Sequence, residues 1–327
     1  MHRLLFGAVL FGVSLAVVEL GLRAAGRGVR HRMATFVDFG GGDVGLLPCA
    51  EGQVLVADDV VTAVHTDRRG RRSAAACVDS GKGAVILGDE QVFGLGVEFQ
   101  DSFAGRLGAR NAGVPGYGVL DALALGRLAF TVEGVSTVVV VVDQANDWVD
   151  GSTRIGERNE VRSGFLLESG WRERPGAWAW SPPFSRSALA YTFAQRFSVE
   201  VPPDTPIWVR DPASLAPLAS TFGTEIVAFA RLRPELHVVP VWLPADLATS
   251  EARAVVSPLA PREAIAELRP WEDTTLRDEL AAAVAPLPLV DLTDALRDPA
   301  SFLPGAPQLS PVGHAAVARQ LSAVLAR

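Results

Sequence analysis

Apolar residues recur in different rhythms along this chain. From Leu4 to Val18 the sequence is uncharged and apolar, and Leu20-Gly21-Leu22 continue the run past Glu19. At 1.5 Å per residue this stretch is about long enough to cross a hydrocarbon core of about 30 Å. Between about Thr35 and Ser80 the apolar runs become short and are bounded by turn residues. Gly40-Gly41-Gly42 is followed by Val54-Leu55-Val56 and by Val60 to Val64, a pattern that predicts short β-strands. Beyond Ser80, strand and helix signals alternate. Ala84 to Leu87 is an apolar run ending in Gly88-Asp89. Val119 to Phe130 reads as a helix with a wide apolar face, and Thr137 to Val142 ends in five consecutive valines before Asp143. Such a run suits a strand buried on both faces, hence a parallel sheet covered by helices. His237 to Leu243 and Leu287 to Leu292 are further strand candidates. Helices are expected at about Leu215–Arg231 and Thr275–Ala285, the latter opening on a Thr275-x-x-Asp278 capping pattern. Ser310 as N-cap and Pro311 at the first helical position start a last helix through Val312–Leu325.

This alternation predicts a three-layer, doubly wound α/β domain, whose working site lies at the carboxyl ends of the strands. Gly88–Glu90 and Asp143–Asp147 then share one rim. The chain divides into residues 1–25, a membrane anchor; 26–80, an N-terminal β-rich strap; and 81–327, the α/β domain. Gly151 to Pro183 breaks the rhythm with charges, Gly, Pro and the tryptophans Trp171, Trp178 and Trp180. It is expected to be an excursion over the rim whose aromatics pack locally, contact with a sugar or lipid being the alternative.

Composition narrows the function. The 327 residues carry a net charge of −7, which argues against nucleic acid as a partner. Only 20% of residues are charged while 49% are hydrophobic, so disorder is excluded. Cys49 and Cys77 are too few for a disulfide scaffold or a zinc cage, and neither a metal nor a cofactor is expected. A cleaved signal peptide is the alternative to an anchor, but Arg23 stands where a small residue is wanted ahead of Ala24-Ala25. An uncleaved anchor is therefore expected. Arg23, Arg27, Arg30 and Arg32 outnumber Arg3 on the opposite flank, and a positive-inside count puts the body in the cytoplasm. One possible disulfide between Cys49 and Cys77 points to the outside.

Several blocks at the predicted rim carry a family resemblance. Ile86-Leu87-Gly88-Asp89-Glu90-Gln91-Val92-Phe93-Gly94-Leu95-Gly96-Val97 resembles the first block of the SGNH (GDSL-type) hydrolases. Asn111-Ala112-Gly113-Val114-Pro115-Gly116-Tyr117-Gly118 resembles the second, and Gln144-Ala145-Asn146-Asp147 the third. Leu309-Ser310-Pro311-Val312-Gly313-His314 is similar to the stretch after the catalytic histidine. His65 to Arg72 and Glu19-Leu20-Gly21-Leu22-Arg23 resemble the membrane-anchored bacterial branch. The resemblance implies a flavodoxin-like strand order and an extracytoplasmic body. It also implies that Gly116 and Asn146 are the remnant of an oxyanion hole, and that Asp89 and Asp147 hold loops. Tyr117 and Trp148 would border the cleft.

The same resemblance places Glu90, Gly305 and Gln308 where the family has its serine, aspartate and histidine. Serine attack needs a hydroxyl, a base within reach and a group orienting that base. Glu90 has no hydroxyl, Gln308 is an amide that relays no proton near neutral pH, and Gly305 has no side chain. Glu90 is therefore expected to turn its carboxylate onto Asn146 and the Gly116 N–H. Among other candidates, Ser102 reads as a helix cap, His314 falls six positions beyond the missing base, and His237 reads as a satisfied strand-end residue. His2, His31 and His65 lie in the anchor flank and strap. Asp89, Glu90, Asp143 and Asp147 are also considered as a Mg²⁺ or Ca²⁺ site or an acid–base pair, loop-holding being preferred. The leading expectation is a protein inactive toward esters that binds or assists in cell-envelope glycan or lipid metabolism. The alternatives are an active esterase or acyltransferase on an acylated glycan or lipid, with a non-standard site, and a relic that keeps only the fold.

Overall fold

The computed structural model describes residues 2–56, 60–133, 135–151, 153–174, 176–195, 205–257 and 262–326. Small parts of the predicted anchor, strap and excursion (Met1, residues 57–59, Ser152 and Pro175) lie outside the described residues, as does Arg327. The strands in chain order are β1 (Phe36–Gly40), β2 (Asp43–Leu46), β3 (Glu51–Val56), β4 (Val60–His65), β5 (Val85–Gly88), β6 (Arg110–Gly113), β7 (Thr137–Asp143), β8 (Asn159–Arg162), β9 (Phe165–Glu168), β10 (His237–Leu243) and β11 (Val290–Asp291). Five of them form one parallel sheet in the order β11-β10-β7-β5-β6. Counted along the chain this is the flavodoxin-like order 2-1-3-4-5.

The valine run explains the layering. Successive side chains of a strand point to opposite faces. Val138, Val140 and Val142 pack with Leu123, Phe222 and Phe229 from the helices Val119–Glu133 and Ala216–Ala230. Val139 and Val141 pack on the other face with Phe103, Val317 and Leu321, from the helices Phe103–Leu107 and Pro311–Leu325. Ser310 caps the last helix, accepting from the N–H groups of Val312 and Gly313 at 3.2 and 3.3 Å.

Three local expectations are corrected. The strand expected over Leu287–Leu292 is only Val290–Asp291, because Pro286 and Pro288 have no N–H to give a ladder. The helix expected to be capped by Thr275 has Thr275 as its first residue and Thr274 at the cap position. There Asp273 Oδ1 accepts the Thr275 N–H at 2.8 Å and the Thr274 hydroxyl donates to Asp278 Oδ2 at 2.6 Å. His237 opens β10 at an exposed position and is not enclosed at the strand end.

The strap consists of two antiparallel hairpins, β1–β2 and β3–β4. Arg72 fastens it to the domain. This fully buried side chain donates to Phe93 O at 2.7 Å, Val97 O at 2.6 Å and Ala63 O at 3.3 Å, and also to Gly94 O. Its backbone bridges Asn111 of β6. A disulfide joins Cys49 to Cys77. The excursion after β7 holds the β8–β9 hairpin, and Phe165, Leu167 and Trp171 form a small core of their own against Trp180. The N-terminal helix runs from His2 to Ala24, with Leu5–Ala24 at a mean hydropathy of 2.2 and none of it buried. Pro212–Ala230 is also apolar, but it buries Phe222, Ile226 and Phe229 in the core.

Arg72→Met would leave several buried carbonyls without a donor, at a cost of about 1–3 kcal/mol for each such group. We expect destabilisation of roughly 3 kcal/mol, a fall in thermal midpoint of about 6–12 °C for a domain of this size, read by circular dichroism of the full chain in detergent.

Candidate functional site

The carboxyl ends of β5, β6 and β7 bring three loops together. Gly88 leads into Asp89 and the one-turn helix Glu90–Phe93, while Asp143 leads into the turn that carries Asn146 and Asp147. Between β6 and the helix Val119–Glu133 lies Gly116, whose φ of 82° is a left-handed conformation that glycine adopts freely. The β6 end also needs glycine. A Cβ on Gly113 would stand 2.3 Å from Phe93 N and 2.8 Å from Asp89 O, so the one-turn helix sits directly on the backbone there.

The Glu90 side chain lies across this junction. Its Oε1 accepts from Asn146 Nδ2 at 2.8 Å, and its Oε2 accepts from the Gly116 N–H at 3.3 Å. All three residues are partly exposed at the rim. Burial raises the Glu90 pKa, and the bonds from its own N–H, Gly116 and Asn146 oppose that rise. The loop Leu303–Leu309 comes alongside through Gln91, whose amide donates to Pro307 O and accepts from Leu309 N, both at 3.0 Å. Arg253 holds the same loop by donating to Leu303 O at 3.0 Å and Ala306 O at 3.2 Å. Gln308 O accepts from Leu303 N at 2.8 Å, and Gly305 is exposed, with φ 73° and open space where a Cβ would be. The first and last blocks thus meet at one rim.

The aspartates beneath Glu90 are consumed by backbone amides. Asp89 Oδ1 accepts from Gln91 N at 2.9 Å, Asp143 Oδ1 from Ala145 N at 2.8 Å, and Asp147 Oδ2 from Asp143 N at 2.6 Å. The other oxygens, Asp89 Oδ2 and Asp143 Oδ2, are buried without a hydrogen-bond partner among the described residues. Burial, followed by the neighbouring charges of Asp143 and Glu90, pushes Asp89 well above the usual carboxylate range. Burial and the charge of Asp147 do the same to Asp143. No group of three or more His, Cys, Asp or Glu side chains among the described residues is arranged to hold a metal ion.

Other sequence candidates fall elsewhere. Tyr117 is buried, its hydroxyl donating to Val44 O at 2.6 Å, and Trp148 is buried against Phe222 and Trp242, its indole N–H donating to Gln144 O at 3.0 Å. Neither borders an open cleft at the rim, because the strap covers one and the core encloses the other. Tyr117 instead lines a separate cavity of about 620 Å³ between the strap and the helix Val119–Glu133. Ser102 accepts from Gly105 N at 3.1 Å as a helix cap. His314 is fully buried, and its Nδ1 accepts from Phe103 N at 3.2 Å. Burial, with Arg72 and Arg106 nearby, lowers its pKa to about 3, so it is neutral and committed to the core. Sequence reasoning missed Gln91 and Arg253, since a single glutamine or arginine gives no sign of which distant carbonyl it will meet.

Comparison with family models gives no match, and comparison with curated proteins gives none either. Solved structures similar to this chain include a lipase/acylhydrolase from Enterococcus faecalis, 15% identical, covering 75% of this chain and 96% of that one at a TM-score of 0.38. A catalytic mutant of an acetylxylan esterase from Geobacillus stearothermophilus is 14% identical, covering 76% and 95% at a TM-score of 0.36. A protein from Desulfitobacterium hafniense described as lipolytic and of the G-D-S-L family is 14% identical, covering 74% and 98% at 0.35.

The Asp89–Asp143 pair has a testable signature. Both carboxyls hold their protons at higher pH when folded than in the unfolded chain, so stability falls as pH rises from about 4 through the raised values. Asp143→Asn keeps an acceptor for the Ala145 N–H and removes one of the two raised carboxyls. The thermal midpoint of the variant should fall less steeply than that of the wild type between about pH 4 and neutrality, measured by calorimetry.

Proposed function

We propose that this chain is an SGNH-type hydrolase frame whose anion-binding cradle is filled by its own carboxylate, and that it does not turn over esters. The observation that supports this is the pair of hydrogen bonds from Asn146 and Gly116 to Glu90. In acyl transfer such donors gain their value by meeting charge that develops on a tetrahedral intermediate. Here the Glu90 side chain already takes both. The loop Leu303–Leu309, tied to the rim through Gln91, carries Gly305 and Gln308, neither of which takes or returns a proton, and His314 is neutral and bonded inside the core.

The rest of the chain suits a protein of the cell envelope. The N-terminal helix acts as an uncleaved anchor, and the Cys49–Cys77 disulfide fits a body on the extracytoplasmic, oxidising side. On this reading the protein serves as a binding or accessory component in envelope glycan or lipid metabolism, with an acylated glycan or lipid as its ligand.

Full-length protein in detergent should release no p-nitrophenol from p-nitrophenyl acetate above the spontaneous rate. The triple variant Glu90→Ser, Gly305→Asp, Gln308→His should gain turnover on the order of 10²-fold over that rate, the contribution of a positioned acid–base. At residue 305 a Cβ meets nothing within 4 Å, but the φ of 73° strains any L side chain there, so circular dichroism must first show that the triple variant is folded. Wild-type turnover that persists in Glu90→Ala would overturn the inactive reading in favour of an unrecognised esterase site.

A further inference from the structure

The last turns of the N-terminal helix are fastened to the body. Glu19 accepts from the N–H groups of Ala188 and Leu189 at 2.9 and 2.8 Å and from the Ser187 hydroxyl at 3.0 Å, so it caps the helix Ala188–Gln195. Arg23 pairs with Glu19 at 2.7 Å and donates to Arg186 O at 2.7 Å. The Leu5–Val18 segment ahead of this joint supplies roughly 21 Å of exposed apolar helix at 1.5 Å per residue. The joint is therefore set at the depth where that apolar helix ends.

Two features of the body surround this joint. The first is a cluster of exposed aromatics. Trp178, Phe184 and Phe193 are 42%, 46% and 57% exposed. The Trp178 ring lies 5.4 Å from Phe184 and 6.4 Å from Phe193. The second is a cavity of about 480 Å³ lined by Arg23, Arg30, Arg32 and Arg186. Arg30 is buried with its guanidinium 4.5 to 5.1 Å from the ring centres of Tyr191, Trp180 and Phe165, and it donates to the carbonyls of Ala179, Phe184 and Ser187 at 3.4 to 3.5 Å. Thus Arg30 fixes the segment that carries Trp178 and Phe184. The carboxylates nearby are Glu19, already shared among four donors, and Glu168, which pairs with Arg32 and Arg174. Four arginines at the cavity against two committed carboxylates leave the joint cationic.

We propose that this face is a second membrane contact. Trp178, Phe184 and Phe193 sit at the headgroup level of the bilayer, and the arginine-lined cavity takes the phosphates of anionic lipids. Aromatic rings favour the membrane–water interface, guanidinium groups pair with phosphate through charge-assisted hydrogen bonds, and basic pockets beside a span bind anionic headgroups. The inference rests on the helix being a membrane span and adds that the body lies down on the surface in one fixed orientation.

The test uses the full chain reconstituted into vesicles of phosphatidylcholine or of phosphatidylcholine with phosphatidylglycerol, each with and without bromine on the acyl chains near the headgroup. Brominated lipid should quench tryptophan emission of the wild type, Trp178→Phe should lose at least half of that quenching, and Phe193→Trp should increase it. Brominated phosphatidylglycerol should quench more strongly than brominated phosphatidylcholine, with the difference reduced in Arg186→Gln. Resistance to alkaline carbonate extraction reports the span separately. Extraction from the vesicles overturns the span and the proposal with it. Retention in the membrane with equal quenching of the wild type and Trp178→Phe overturns the aromatic contact alone, and equal quenching by the two brominated lipids overturns the lipid-phosphate site.

Discussion

A single strand with no polar face governs this molecule. Because β7 buries alternate valines in two different helical layers, helices must cover both sides of the sheet, and every strand beside β7 runs parallel to it. Parallel strands place all their carboxyl ends at one edge. The polar residues that follow those ends are thereby forced into one small region: Asp89 and Glu90 after β5, Asp143 to Asp147 at the end of β7, Asp246 after β10. The carboxylates crowd at this rim as a consequence of the topology, and the local backbone answers by turning amides toward them.

That answer is uneven. Asp147 and the first oxygens of Asp89 and Asp143 each take a backbone amide. The second oxygens of Asp89 and Asp143 are left buried without a partner among the described residues, and burial with neighbouring negative charge pushes both carboxyls well above the usual range. Glu90 lies one step further out. It reaches the partly exposed rim, where the Asn146 amide and the Gly116 N–H donate to its two oxygens. The gradient from unpartnered to hydrogen-bonded carboxyl oxygens follows the gradient from core to solvent.

How far such an arrangement can be read from sequence depends on whether a feature is local. The buried strand is legible because five valines have one sensible environment, and the Ser310 cap is legible because its partners are two and three residues away. The rim blocks were legible as an ordered set, and the fold brings them to one place. Their fastenings were not. Gln91 reaches residues more than two hundred positions away, and Arg72 binds carbonyls on two sides of the strap junction. Tyr117 and Trp148 show the opposite limit. An aromatic residue beside a glycine-rich loop reads the same whether it faces ligand or core, and only the strap hairpin over Tyr117 and the Phe222 and Trp242 rings against Trp148 settle it. Likewise, the tryptophans of the excursion separate into buried Trp171, half-buried Trp180 and exposed Trp178 only once Arg30 is seen holding the segment.

The occupied cradle has a consequence for any ligand. A carboxylate carried on residue 90 competes intramolecularly, at an effective concentration that no external anion of ordinary affinity matches. On the proposed reading, an acyl group entering between Gly116 and Asn146 must first displace it, leaving a carboxyl group without its two donors, where burial disfavours ionisation. The cost falls on the charged form of Glu90 and on little else, so the cradle opens most readily when that carboxyl is protonated. On that reading, occupancy of the site turns on whether Glu90 is protonated, and its burial where the strand ends converge favours uptake of that proton.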